Sequence, residues 1–224
     1  MRIVLRIGGS VVASPINTEL ISKYVALLRT LKKQGHEIAV VVGGGSLARE
    51  LITVAKNLGL DEQAQDEIAI SVSRIFAQLF LRKLDETGCK AVPLTVNEAA
   101  HCLDDGKISV MGGLRPGMTT DTVAALIAEH IKADLLVKGT DQDGIYDKDP
   151  KKCREAVMFD KLSFDDLAGV FSESKHKAGI HQIIDPEAVK ILKRKRVRLV
   201  VVNGFTPENI LAAVQGKSVG TVIS

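Results

Sequence analysis

The sequence predicts an α/β fold: a mostly parallel central sheet with helices on both faces, three layers in all. Two observations carry this. Short β-branched apolar runs alternate with longer stretches of helical spacing, and each run is apolar on both faces, as strands buried between helices must be. Several runs also stop at glycine turns, at Gly8–Gly9, Gly43–Gly45 and Gly139. In such sheets ligands bind beyond the carboxyl ends of the strands, where these turns would converge.

In chain order, residues 2–7 read as a buried strand delivering Gly8-Gly9-Ser10. Residues 17–33 place Leu20, Ile21, Tyr24, Val25, Leu28 and Leu31 at helical spacing and stop near Gly35, a suitable C-terminal cap. Residues 37–42 form a second apolar strand that ends in three glycines before the helical pattern of 46–58. Residues 61–84 show the wide apolar stripe of a long helix with more than one buried flank, which predicts a subunit interface. Residues 90–94 and 107–110 are short strand candidates around a helix opened by Asn97.

The second of these leads into Met111-Gly112-Gly113-Leu114-Arg115-Pro116-Gly117-Met118-Thr119-Thr120-Asp121. Three glycines and a proline forbid regular structure there, and Thr120 or Asp121 can cap the helix of 121–131. A helix start preceded by glycines suits an anion. Residues 134–138 are another buried strand, followed at 139–150 by a turn-rich loop or hairpin placed to cover a ligand. Helices open at Asp185-Pro186-Glu187 and Thr206-Pro207-Glu208, with strands at 197–202 and 218–223.

The 224 residues, 46% hydrophobic and 25% charged, suit one domain. A net charge of +3, no Trp and two Tyr argue against nucleic acid. Cys89, Cys102 and Cys153 form no C-x-x-C pair, so they are expected as thiols in a cytoplasm. No signal peptide, membrane span or membrane-binding stretch is expected. His176 and His181 lack a third ligand, so no metal site is expected there. Lys190, Lys193, Arg194, Lys195, Arg196 and Arg198 read as a solvated basic face.

Neither a P-loop nor a Rossmann fingerprint is present. Several separate backbone nests instead imply an extended polyphosphate held at many points, as in phosphoryl transfer.

The segments Arg6-Ile7-Gly8-Gly9-Ser10, Val42 to Arg49, Met111 to Asp121 and Thr140 to Pro150 resemble the amino acid kinase superfamily, and within it the archaeal-type uridylate kinases. Two pieces, M-G-G-x-x-P-G-x-T-T-D and D-G-x-Y-x-x-D-P, are specific in combination. The resemblance implies the amino acid kinase fold in one domain, with an acceptor half over about 1–133 and an ATP half over about 134–224. It implies ATP-dependent conversion of UMP to UDP in pyrimidine nucleotide biosynthesis, Mg2+ held mainly by nucleotide phosphates, and a homohexamer.

Residue by residue it implies an ATP site of Gly9, Ser10, Gly45, Arg49, Thr140, Asp141, Tyr146 and Asp149. The UMP site would be Gly44, Asp66, Leu114, Arg115, Pro116, Gly117, Met118, Thr119 and Thr120. Arg6, where relatives often carry Lys, and Lys138 would neutralise the moving phosphoryl group. Asp121 would orient these cations or serve as a plain helix cap. Asp141 stands where relatives often have Lys or Asn. The alternatives are a sister kinase acting on isopentenyl phosphate, acetylglutamate or carbamate, or a nucleotide sensor. The first of these would want a histidine just after the second glycine loop, and residues 45–49 hold none.

Overall fold

The computed structural model describes residues 1–167 and 183–224. Seven strands form one sheet in the order β3-β2-β1-β4-β6-β7-β5: β1 (Arg2–Ile7), β2 (Glu37–Val42), β3 (Ser109–Met111), β4 (Leu135–Thr140), β5 (Lys161–Leu162), β6 (Arg198–Asn203) and β7 (Thr221–Ile223). All neighbours run parallel except β6 and β7.

Alternation along the strands feeds two cores. Ile3, Leu5 and Ile7 of β1 point into one cluster with α2 (Thr18–Lys33), α4 (Glu62–Leu84) and α8 (Glu208–Val214). Val4, Ala39 and Val41 point into the other, with α5 (Val96–Asp104), α6 (Thr120–His130) and α7 (Pro186–Lys195). Both faces are therefore covered, as the apolar runs require. A four-residue helix, α1 (Gly9–Val12), follows β1, and α3 (Gly45–Asn57) follows β2.

Several boundaries differ from expectation. No strand forms at 90–94; only Gly88 bridges to Ile108, and Pro93 removes a donor the ladder would need. The third strand lies at Ser109–Met111, shifted toward the glycine loop. Helix α5 is capped by Thr95, whose hydroxyl accepts from Glu98 N, rather than opened by Asn97. The expected hairpin after β4 is present: Asp147 N donates to Val157 O and Phe159 N to Ile145 O. Cys89 and Cys102, expected as thiols, are bridged with Cα atoms 5.9 Å apart, while Cys153 is free.

In the basic cluster, Lys190 pairs with Glu187, Lys193 with Asp165, and Arg194 and Lys195 with Glu129. It is a paired, solvated face. His176 and His181 lie outside the described residues. No helix among those described is long and apolar enough to cross a membrane.

Candidate active site

A cleft of about 610 Å³ opens at the carboxyl ends of β1, β2 and β4. Of the residues singled out from sequence, Arg6, Gly9, Ser10, Gly44, Gly45, Arg49, Thr120, Asp121, Lys138, Thr140 and Asp141 line it. Two glycine turns make its floor by close approach. A Cβ on Gly9 would sit 2.2 Å from Gly45 N, and Gly45, at φ +63°, would bring a Cβ within 2.6 Å of Gly9 O. Only glycine lets these backbones meet, which leaves their polar groups near the cleft.

Arg6 and Lys138 stand on neighbouring strands in direct register, with side chains on the α6 face. Two cations side by side repel. Asp121, in the first turn of α6, lies between them: Lys138 Nζ donates to Asp121 Oδ2 at 2.5 Å, and Arg6 Nε lies 2.7 Å from Asp121 Oδ1. That second contact is not a hydrogen bond, because Nε and Oδ1 are both buried without a bonded partner among the described residues. It is a close coulombic contact between two atoms closed off from solvent. Arg6 Nη2 donates to Thr120 Oγ1 at 2.7 Å.

The side chains of Lys138 and Asp121 are 6% and 11% exposed, so their charges depend on one another. Burial pushes Lys138 down, Asp121 opposes, Arg6 adds to the depression, and the ammonium ends at about 8. Burial alone would raise the Asp121 carboxyl, but Lys138 and then Arg6 hold it below its ordinary value. The cap of α6 is Thr119, whose hydroxyl accepts from Thr122 N. Asp121 is therefore free of capping and serves the cations.

Other expected site residues fall around the cleft. Leu114 to Thr119, Asp66, Tyr146 and Asp149 are not among its lining residues. Asp66 Oδ2 accepts from Gly117 N at 2.6 Å, so α4 grips the acceptor loop there. Tyr146 lies on the hairpin beside Asp143. Asp141 pairs with Lys151 at 2.7 Å. Arg49 reaches the rim near Ser14, at 3.4 Å.

Sequence reasoning missed several partners. Gln142 and Lys151 also line the cleft. Ser73 Oγ accepts from Gly113 N at 2.8 Å, and Arg74 donates to the carbonyls of Gly113 and Leu114, each at 3.0 Å. Gln142 lies within a segment already singled out and Lys151 directly follows it, whereas Ser73 and Arg74 sit mid-helix with no local signal.

The family model for the amino acid kinase family matches residues 1–203. This chain belongs to the amino acid kinase family. It is 44% identical over 225 residues to a uridylate kinase of Methanocaldococcus jannaschii, covering all of this chain and 99% of that protein. To a uridylate kinase of Archaeoglobus fulgidus it is 42% identical over 224 residues, with both chains fully covered. The crystal structure of the uridylate kinase from Archaeoglobus fulgidus superposes with a TM-score of 0.90, covering both chains in full at 40% identity. A UMP kinase of Bacillus anthracis, 22% identical, shares the fold with a TM-score of 0.85 over all of this chain and 95% of that one.

Proposed function

We propose that this protein transfers the γ-phosphoryl group of ATP to the phosphate of UMP, giving ADP and UDP, as a cytoplasmic step of pyrimidine nucleotide biosynthesis. The observation that carries the reading is the Arg6–Asp121–Lys138 triad at the floor of a glycine-lined cleft. In-line transfer asks for positioned cations over the moving group and little covalent chemistry. The full-length likeness to uridylate kinases supplies the substrate class.

In this reading ATP enters over Gly9, Ser10, Gly45, Arg49 and Thr140, with Asp141, Tyr146 and Asp149 on the donor side. UMP lies along Gly44, Asp66 and the loop of Leu114 to Thr120. Arg6 and Lys138 carry the charge that builds on the transferred phosphoryl oxygens, and Asp121 holds both without reorganising. Among the described residues no three carboxylate, imidazole or thiol groups gather to cage a metal. Magnesium arriving on the nucleotide phosphates would add further charge neutralisation. We keep an acceptor half over about 1–133 and an ATP half over about 134–224, with Gly9, Ser10, Gly45 and Arg49 reaching ATP from the first half.

The test is a coupled assay with UMP, CMP, dUMP, isopentenyl phosphate, N-acetylglutamate and carbamate as acceptors. UMP should be fastest by a wide margin. A faster turnover of any other acceptor overturns the assignment, and no turnover of any would favour a sensor.

Asp66 is assigned to the ribose and to the loop amide of Gly117. Asp66→Ala should therefore weaken UMP binding by about 1.5–3 kcal/mol, the range for a hydrogen bond to a charged group. An unchanged UMP dissociation constant by calorimetry would remove Asp66 from the acceptor site.

We also propose a homohexamer assembled in part through α3 and α4. Leu51, Val54, Ile75 and Leu79 on these helices and Leu58 at the C-cap of α3 are exposed, more apolar side chain than a monomer face needs. Sedimentation should give a multiple of the 24.1 kDa chain mass at micromolar concentration. A monomer there would refute it.

A further inference from the structure

Asp185 is the N-cap of α7: its Oδ1 accepts from Glu187 N at 2.8 Å. Its second oxygen does something a cap does not require. Oδ2 accepts from Thr119 Oγ1 at 2.6 Å and from the hydroxyl of Thr122. Thr119 is in turn the cap of α6, accepting from Thr122 N at 3.1 Å. One carboxylate therefore ties together the starts of two helices that share a core, α6 with Val123 and Ile127 and α7 with Ala188 and Ile191.

Two chemical consequences follow for the neighbouring cleft. A hydroxyl has one proton, and that of Thr119 goes to Asp185, so Thr119 has none to donate to a substrate. Thr120, the next residue, accepts from Arg6 and keeps its proton for a phosphate oxygen. The N-terminal turn of α6 that Asp185 secures is also the turn that presents Asp121 between Arg6 and Lys138.

We propose that Asp185 is a positioning residue for phosphoryl transfer: by anchoring Thr119 and Thr122 to the start of α7, it holds Thr120 and Asp121 against Arg6 and Lys138. This rests on the catalytic reading of the triad. The charged groups facing Lys138 are Asp121 from α6, Arg6 from β1 and Asp185 at the start of α7. Asp121 and Asp185 both favour the ammonium, whereas Arg6 disfavours it.

The experiment compares wild type with Asp185→Asn and Asp185→Ser, both able to cap a helix, and with Lys138→Ala. Kinetics are measured from pH 6 to 9.5 with magnesium in excess, and folding is checked by thermal denaturation. Asp185→Asn and Asp185→Ser should lower kcat about tenfold or more, the scale of a small misplacement. The KM of both substrates should stay within about threefold of wild type, since ground-state contacts are kept.

The alkaline limb of kcat/KM reports the free enzyme and should lie near pH 8 in wild type, the value set for Lys138. It should move to lower pH by about half a unit in Asp185→Asn, because a lost carboxylate favours the neutral amine. A kcat that falls with the limb unmoved, or KM values that rise with kcat kept, would overturn the proposal while Lys138→Ala still loses kcat. A Lys138→Ala enzyme of wild-type kcat would instead overturn the triad reading and this proposal with it.

Discussion

Arg6→Ala should lower kcat about 10²-fold or more, the usual loss on removing one preorganised electrostatic donor. The KM of either substrate should change far less, because only contacts that strengthen in the transition state act on kcat. The geometry gives this prediction its form. Arg6 is held from two sides, by Thr120 at 2.7 Å and by Asp121, so its guanidinium is fixed before substrate arrives. Arg6→Lys should keep much of the rate, since a point charge from the same strand can still reach the phosphoryl oxygens. The competing role, a ground-state anchor for ATP, would raise the KM for ATP and leave kcat nearly intact. Steady-state kinetics with both substrates varied separates the two, and an Ala variant of wild-type kcat would end the catalytic assignment.

Asp121→Ala should show the largest loss of stability. It would leave Lys138 and Arg6, 6% and 15% exposed, facing each other without their shared anion. Removing one member of a buried ion pair typically costs about 3–5 kcal/mol, which in a chain of this size lowers Tm by roughly 6–20 °C. The sign of its pH dependence follows from Lys138. With Asp121 gone, the proton on Lys138 is held less tightly than in wild type, where it leaves at about 8, against 10.5 for an unburied lysine. In the interval below 8 the variant's folded state sheds a proton that its unfolded state keeps, so its stability rises with pH there. The Tm deficit should therefore shrink as pH rises toward 8. Equal deficits at pH 6 and pH 8 would show that buried charge is not the cause.

The fold was legible because β1, β2, β4 and β6 are each six residues long and largely apolar on both faces. β3 was legible only to within two residues, the two-residue β5 is too short to carry a pattern, and the antiparallel return of β7 depends on pairing that no local stretch encodes. Among site residues, Arg6 and Lys138 came from the family resemblance, and Lys138 also ends a buried run. Asp121 could be read two ways until Thr119 proved to be the cap. Asp185 read only as a helix start, because its second task comes from residues more than sixty positions away. Arg74 and Ser73 gave no signal for the same reason, as they meet the acceptor loop about forty positions on.

The interlocked turns at Gly9 and Gly45 also bear on how such a protein can change over generations. Each backbone occupies the space where the other's side chain would grow, at separations of 2.2 to 2.6 Å. Substituting either one alone forces β1 and β2 apart at their carboxyl ends, and no single replacement in the partner restores the fit, because glycine is already the smallest residue. The two positions thus form one heritable unit, and variation in donor or acceptor preference has to arise in the hairpin, the acceptor loop and α4 instead.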